Sequence, residues 1–208
     1  MNLRNLIAAT AATAGLLIGA TVGRAAEPTV LKFAYPAPPH GWPVDKGIRP
    51  WIKNVEAASG GTLRIELFAG PSLANFRNVY DRLLNGVAQI GFGTFGTIQD
   101  QYPKSSVAGL PFTADSSLES GLALWRLYAK GVIADEYRRV HPLALFGFGI
   151  TGLHFTKRIT NLDELKGVKI FANGRADGRI VRLLGAVPIT SNSGWALRMV
   201  ARPSRNRE

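Results

Sequence analysis

The sequence predicts an α/β fold, and two patterns predict it. Short β-branched runs alternate along the chain with stretches whose apolar residues recur at helical spacing. The most compact instance is Asn161–Thr190, which reads as a strand–helix–strand unit. A crossover of that length joins parallel strands, and such a unit needs further strands to bury its sheet.

The first element, residues 1–26, is read as a leader. Arg4 precedes an apolar run from Leu6 to Val22, and small residues follow at Gly23, Ala25 and Ala26. That is the layout of a cleaved secretory signal, with Gly23 at the −3 position if cleavage follows Ala25. The alternative is an N-terminal membrane anchor, but the run is rich in Ala, Thr and Gly rather than Leu and Ile.

Thr29–Phe33 (TVLKF) alternates as a strand. The proline-rich stretch Ala34–Pro43 that follows is a stiff loop carrying Trp42. Ile48, Trp51, Ile52 and Val55 share one helical face, with Pro50 in the first turn or at a kink, and Ser59-Gly60-Gly61 ends the helix. Thr62–Phe68 is the next strand. Phe76, Val79, Tyr80, Leu83 and Leu84 mark a second helix closed by Gly86, and Val87–Phe92 a buried strand. That strand opens into a glycine-rich loop, Gly91–Thr97, read either as a close approach for a ligand or as an ordinary strand-to-helix turn.

Val107–Phe112 reads as a short strand. Ser116 and Glu119 have capping-box spacing and start a helix expected to bury Leu118, Leu122, Trp125 and Ala129. A further helix to about Val140 is broken by His141-Pro142, and Leu143–Phe148 reads as a strand. In the last unit Leu162–Leu165 is one helical turn, Val168–Phe171 a strand, Ile180, Val181 and Leu184 a helix face, and Val187–Ile189 a strand.

Composition narrows the function. The chain has no cysteine, which removes disulfides, thiolate metal sites and cysteine nucleophiles. The three histidines, at 40, 141 and 154, have no metal-ligand spacing. Neither a Gly-x-Ser-x-Gly elbow nor a phosphate loop occurs. Gly91–Gly96 matches G-x-G-x-x-G, but Asp115 meets the expected acidic position only loosely, so the match is read as coincidence. No cofactor and no enzymatic activity are expected. The formal charge of +11 suggests nucleic acid at first sight. The leader and residues 195–208 supply +5 of it, leaving +6 dispersed over 27–194. Such a body suits an anionic ligand, and a basic nucleic-acid module is the weaker alternative. Trp42 and Phe95, both in loops at strand–helix junctions, are candidates for a ligand wall.

In family order, the leader is followed by LKFAYPAPPHGWP, PWIKNVEAASGGTLRIELFAG, LLNGVAQIGFG, SSVAGLPF and NLDELKGVKI…LLGAVPI. On these segments, which span 29–194, the chain resembles the substrate-binding proteins of tripartite ATP-independent periplasmic (TRAP) transporters, dicarboxylate-binding type. The resemblance implies a periplasmic-binding-protein-like architecture of two α/β lobes that close on a small organic acid. It also implies docking on membrane subunits driven by a sodium gradient, and a periplasmic location. On that frame, residues 27–149 form lobe I, 150–194 part of lobe II, and 195–208 a basic tail. The resemblance places a carboxylate-binding arginine directly after the "GVKI" strand, where this chain has Phe171. Arg175 or Arg158 is then the expected substitute, with Trp42, Phe95, Phe171, Asn173 and Asn192 lining the ligand. Gln89 stands where the resemblance expects aspartate.

After Gly194 the expected continuation gives way to WALRMVARPSRNRE. The reading there is truncation or a frameshift that leaves lobe II incomplete. A non-functional remnant is the alternative to a working solute receptor.

Overall fold

The computed structural model describes residues 27–148 and 152–189. The expected leader, the basic tail and Asn192 lie outside them. A three-stranded sheet organises the first part, with β1 (Thr29–Tyr35) in the middle. β2 (Leu63–Ala69) and β3 (Ile90–Gly91) flank β1, both parallel to it. β1 and β2 are in register along their full length, from Thr29 opposite Leu63 to Tyr35 opposite Ala69. The strand expected over Val87–Phe92 keeps only Ile90 and Gly91 in the ladder.

As the central strand, β1 buries both of its faces, and its residues alternate between them. Phe33 and Tyr35 pack with Val44 and Ile65. Ala34 packs on the other side with Ala74, Val79 and Ala88. Val44 and Val79 are almost completely buried and contribute about 1.5–3 kcal/mol each.

The first helix, α1 (Arg49–Ala58), continues a wide helical turn over Pro43–Ile48. Pro50 follows that wide turn, where a proline without an N–H interrupts the regular ladder. The expected face is correct: Ile48, Ile52 and Val55 pack on the core, and Trp51 meets Phe33 edge-on at 6.0 Å. The Glu56 carboxylate accepts from Ile65 N–H at 2.7 Å, tying the helix to β2. α2 (Val79–Leu84) is shorter than its stripe, because Phe76 lies ahead of it. Gln89 has a structural part here. Its Oε1 accepts from Lys32 N–H at 3.0 Å and its amide donates to Gly86 O at 3.0 Å.

Beyond β3 the structure departs from the expected strands. Val107–Phe112 is not a strand; Ser105–Gly109 is a 3₁₀ turn. The cause is a carboxylate 31 residues on, because Glu136 accepts from Ser105 N–H at 3.0 Å and from Ser105 Oγ at 2.6 Å. Tyr137 closes the buried pair, its hydroxyl 2.8 Å from Ser105 Oγ. Tight local turns, rather than a ladder, satisfy this backbone. The helix expected up to Val140 is a single turn, Ala134–Tyr137. Leu143–Phe148 has no ladder partner among the described residues and is not a strand.

α3 (Ser117–Ala129) is capped as expected, with Ser116 Oγ accepting from Glu119 N–H at 3.2 Å. Its orientation is not as expected. Leu118, Leu122 and Trp125 are 70%, 45% and 41% exposed, whereas Gly121 and Leu124 are buried. A Cβ on Gly121 would lie 3.1 Å from Phe146 Cα, so the 145–147 backbone crosses the helix where only a small residue fits. Leu124 enters a core with Ile98, Tyr102, Ile133 and Tyr137.

The last unit forms as read. β4 (Lys169–Phe171) and β5 (Val187–Ile189) pair in parallel across α4 (Arg175–Leu183). Their core is Leu165, Ile170, Val181 and Ala186. Asn161 caps the turn Leu162–Leu165, accepting from Glu164 N–H at 3.1 Å.

Candidate ligand site

In open parallel sheets, ligands bind beyond the carboxyl ends of the strands. Here β1 ends at Tyr35 and β3 at Gly91, so Phe92 emerges beside Tyr35, their rings 5.0 Å apart. Phe92 is the hub of an aromatic wall. Phe76, from the loop before α2, meets it edge-on at 6.3 Å. Phe146 and Phe148, from the segment 143–148, reach it at 6.0 and 6.1 Å. These last two rings are 51% and 59% exposed. Burial raises the Tyr35 phenol above its usual range, so it stays neutral.

The glycines of the 91–96 loop serve packing rather than an open approach. A Cβ on Gly91 would lie 2.9 Å from Leu83 Cδ1, and one on Gly93 3.2 Å from Ile98 Cδ1. Gly91 therefore lets α2 lie on β3, and Gly96 lies under the backbone of Asn173. Thr97 Oγ1 fixes the turn by donating to Phe76 O at 3.0 Å.

The expected ligand residues are dispersed around this end. Trp42 is exposed before α1 and meets no other ring among the described residues. Phe95 is half-buried and packs on Tyr102, 5.6 Å between centroids. Phe171 is half-buried in β4 opposite Ile189. Asn173 spends its N–H on Asp177 Oδ2 at 3.1 Å. Arg175 is ion-paired with Asp100 across the two parts of the chain. Arg158 is exposed and has no ion-pair partner among the described residues. The structure brings together Phe95, Asn173 and Arg175 through the Gly96–Gly174 contact and the Arg175–Asp100 pair.

A groove of about 350 Å³ adjoins that ion pair, between Pro103, Val107 and Leu110 on one side and Arg175 and Ala176 on the other. A second hollow, of about 340 Å³, lies between α1 and the outer side of β2, lined by Arg49, Lys53 and Glu56. It lies beneath a helix, away from the strand ends. Among the described residues no group of three or more His, Cys, Asp or Glu could hold a metal ion. No helix among them is long and apolar enough to cross a membrane.

The residues missed in the sequence are Phe92, Phe146 and Phe148. The sequence places Phe92 at the end of a strand and in the Gly91–Thr97 loop, and Phe146 and Phe148 in a strand, without marking any of the three as a ligand contact. The available signal was the spacing of Phe146 and Phe148, which puts two rings on one side of an extended chain.

Parallel strands that end beside an aromatic cluster form an open α/β sheet of the kind that takes ligands at its strand ends. The comparisons give the family. The chain belongs to the bacterial extracellular solute-binding proteins, family 7, whose model matches residues 33–194. It is 28% identical over 161 residues to the outer membrane transporter protein TsaT of Comamonas testosteroni, covering 74% of this chain and 46% of that protein. Among solved structures it is similar to a TRAP periplasmic solute-binding protein from Desulfovibrio salexigens. That match has 28% identity and a TM-score of 0.67, over 84% of this chain and 55% of the other. It is also similar to a TRAP solute-binding protein from Rhodoferax ferrireducens in complex with copurified benzoate. There the identity is 25% and the TM-score 0.70, over 78% of this chain and 51% of the other. The chain thus spans about half the length of the relatives it matches. The family resemblance noted in the sequence is correct.

Proposed function

We propose that the chain captures a small organic carboxylate outside the cytoplasm and presents it to the membrane subunits of a TRAP-type secondary transporter. The observation that carries the proposal is the family match over 33–194, on a fold whose parallel strands open at one end. The benzoate held by the Rhodoferax relative supports a carboxylate as the class of ligand. On this reading residues 1–26 direct export and are removed, 27–149 form the first lobe, and 150–194 begin the second. The protein binds and releases its ligand unchanged rather than catalysing a reaction.

Arg175 supplies the charge at the junction. Its guanidinium is held by Asp100, and both side chains are well exposed, so water screens the pair. A ligand carboxylate that enters the adjoining groove exchanges for Asp100 on the same fork of donors. Phe171 stands one strand residue before this region and offers apolar contact rather than charge. Phe95 and Asn173 position the loop and the helix start, while Trp42 joins the lining when the lobes close.

Thermal unfolding of the full chain with a panel of small organic acids tests this. A ligand that prefers the native state stabilises it by about 2.7 kcal/mol at a hundred times its Kd. The expected result is a cooperative transition raised by at least one acid, with the shift reduced by Arg175→Ala. A midpoint that no acid moves contradicts a binding role. A chain without any cooperative transition is a remnant of the family, a reading favoured by the exposed Leu118, Leu122 and Trp125.

A further inference from the structure

We propose that Gly174 is a positioning residue for solute binding. Its missing side chain lets the start of α4 dock on Gly96, and this docking brings the Arg175 guanidinium to the groove beside Asp100. The solute part of the inference rests on the proposed binding role, whereas the docking part stands without it.

The last unit keeps its own core, in which Leu165, Ile170, Val181 and Ala186 pack among residues of the same unit. Its joint with the first part therefore depends on what meets at the surface. Two contacts meet there, the backbone approach of Gly96 and Gly174 and the Asp100–Arg175 ion pair. Both partners of the pair are well exposed, so water screens it and it cannot set the spacing by itself. The glycine seam sets it. At Gly174, φ and ψ are both −172°, an extended conformation in which handedness asks for no glycine. The neighbour asks for it instead. A Cβ at 174 would overlap Gly96 O, and would lie 2.8 Å from the Gly96 carbonyl carbon and 3.2 Å from its Cα. All three are backbone atoms, so no side-chain rotation relieves the overlap and the two segments have to part.

Gly96 provides an internal control. Its φ is not positive, and a Cβ there would lie 3.5 Å from Asn173 O, an ordinary van der Waals distance. The same substitution therefore opens the seam from one side and not from the other. The consequence reaches the groove. Arg175 and Ala176, which follow Gly174 directly, form one side of the groove of about 350 Å³, and Pro103, Val107 and Leu110 form the other. The two sides belong to the two parts of the chain, so the width of the groove follows the seam. A wider seam withdraws the cation from the apolar side, and a site loosened in this way loses affinity. Gly174 is also the N-cap of α4 and makes no capping hydrogen bond with a side chain. Serine caps better than glycine. Helix stability and the seam thus make opposite predictions for Gly174→Ser.

The test compares Gly174→Ala, Gly174→Ser and Gly96→Ala with the native protein, each as the full chain. Hydrogen–deuterium exchange without ligand reads the seam, and isothermal titration with benzoate reads the site. The expected result is faster exchange over 94–101 and 173–176 in both Gly174 variants and native rates in Gly96→Ala. Exchange across β4 and β5 stays native in all three, because their core lies within the unit. Benzoate affinity falls about 10-fold in both Gly174 variants, the scale of one lost hydrogen bond to a charged group. It stays native in Gly96→Ala. If Gly174→Ser exchanges at or below the native rate, capping of α4 governs the segment and the seam is wrong. Faster exchange with native benzoate affinity removes the positioning role and leaves the binding role standing. If the native chain binds no benzoate, the solute part falls with the binding role, and exchange alone decides the docking.

Discussion

α3 and α4 are two amphipathic helices of one chain, and only one of them lies as its sequence suggests. In α4, Val181 is buried while Ile180 and Leu184 are partly covered. Arg175, Arg179 and Arg182 stay outside. Ile180, Val181 and Leu184 form one stripe opposite the arginines, with Leu183 alone outside it at 80% exposure, so one orientation is favoured. α3 has apolar residues around most of its circumference, at 118, 122, 124, 125, 127 and 128. Periodicity then establishes a helix without choosing its inner face. The choice comes from a neighbour: the 145–147 backbone needs the space above Gly121, which turns Leu124 inward and Leu118 outward.

That difference can be broken experimentally. Leu124→Ala should cost about 2–5 kcal/mol, as expected for a core leucine, while Leu118→Ala should stay within about 0.5 kcal/mol. Chemical denaturation of the two variants checks it. Equal losses, or a larger loss for Leu118→Ala, would put the stripe inside after all.

The core beside α3 also differs from the core beside α4 in its tyrosines, which sharpens the contrast. Burial, the largest cause, raises the phenol of Tyr102, and the neighbouring Tyr80, Tyr137 and Glu136 raise it further. Burial raises Tyr137 as well, against the opposing hydrogen bond from Ser105. With a folded pKa above the unfolded value, each favours the fold fully below about pH 10. That contribution is lost as pH rises through the folded value. Unfolding of the 98–137 core should therefore begin above about pH 10, with tyrosinate absorbance rising together with loss of structure. The α4 core of Leu165, Ile170, Val181 and Ala186 contains no such group. Tyrosinate that forms well before any structural change would contradict this.

A smaller effect lies at low pH. The Asp135 carboxyl is held below its usual range, chiefly by the hydrogen bond from Lys104. The Thr160 hydroxyl, the largest cause, does the same for Glu164. Both contributions are present above the ordinary carboxylate range and fade as pH falls through the lowered folded values.

How much of this was legible in the sequence follows from where the deciding contacts lie. β1, β2, α1 and the β4–α4–β5 unit were readable, because alternation, a single apolar stripe and nearby turn residues all agree there. The turn at Ser105–Gly109 was not. Val107–Phe112 has a strand-like composition, but Glu136 captures the preceding backbone from 31 residues away. Leu143–Phe148 has a strand-like composition, yet has no strand to pair with among the described residues. The proposed ligand end combines residues that the sequence marks with others that it does not. Phe95 and Arg175 were singled out and lie near one another through the Gly96–Gly174 contact. The Phe92 wall was not, because it is assembled from residues 76, 92, 146 and 148, and no local pattern joins them.

The most direct test of the central claim, that solute binds at the carboxyl ends of β1 and β3, is hydrogen–deuterium exchange of the full chain with and without saturating benzoate. The account predicts slower exchange in segments 91–98 and 143–148, with smaller changes around 173–176 and none over α1. Protection confined to α1 and the outer side of β2, or absent throughout, would contradict it.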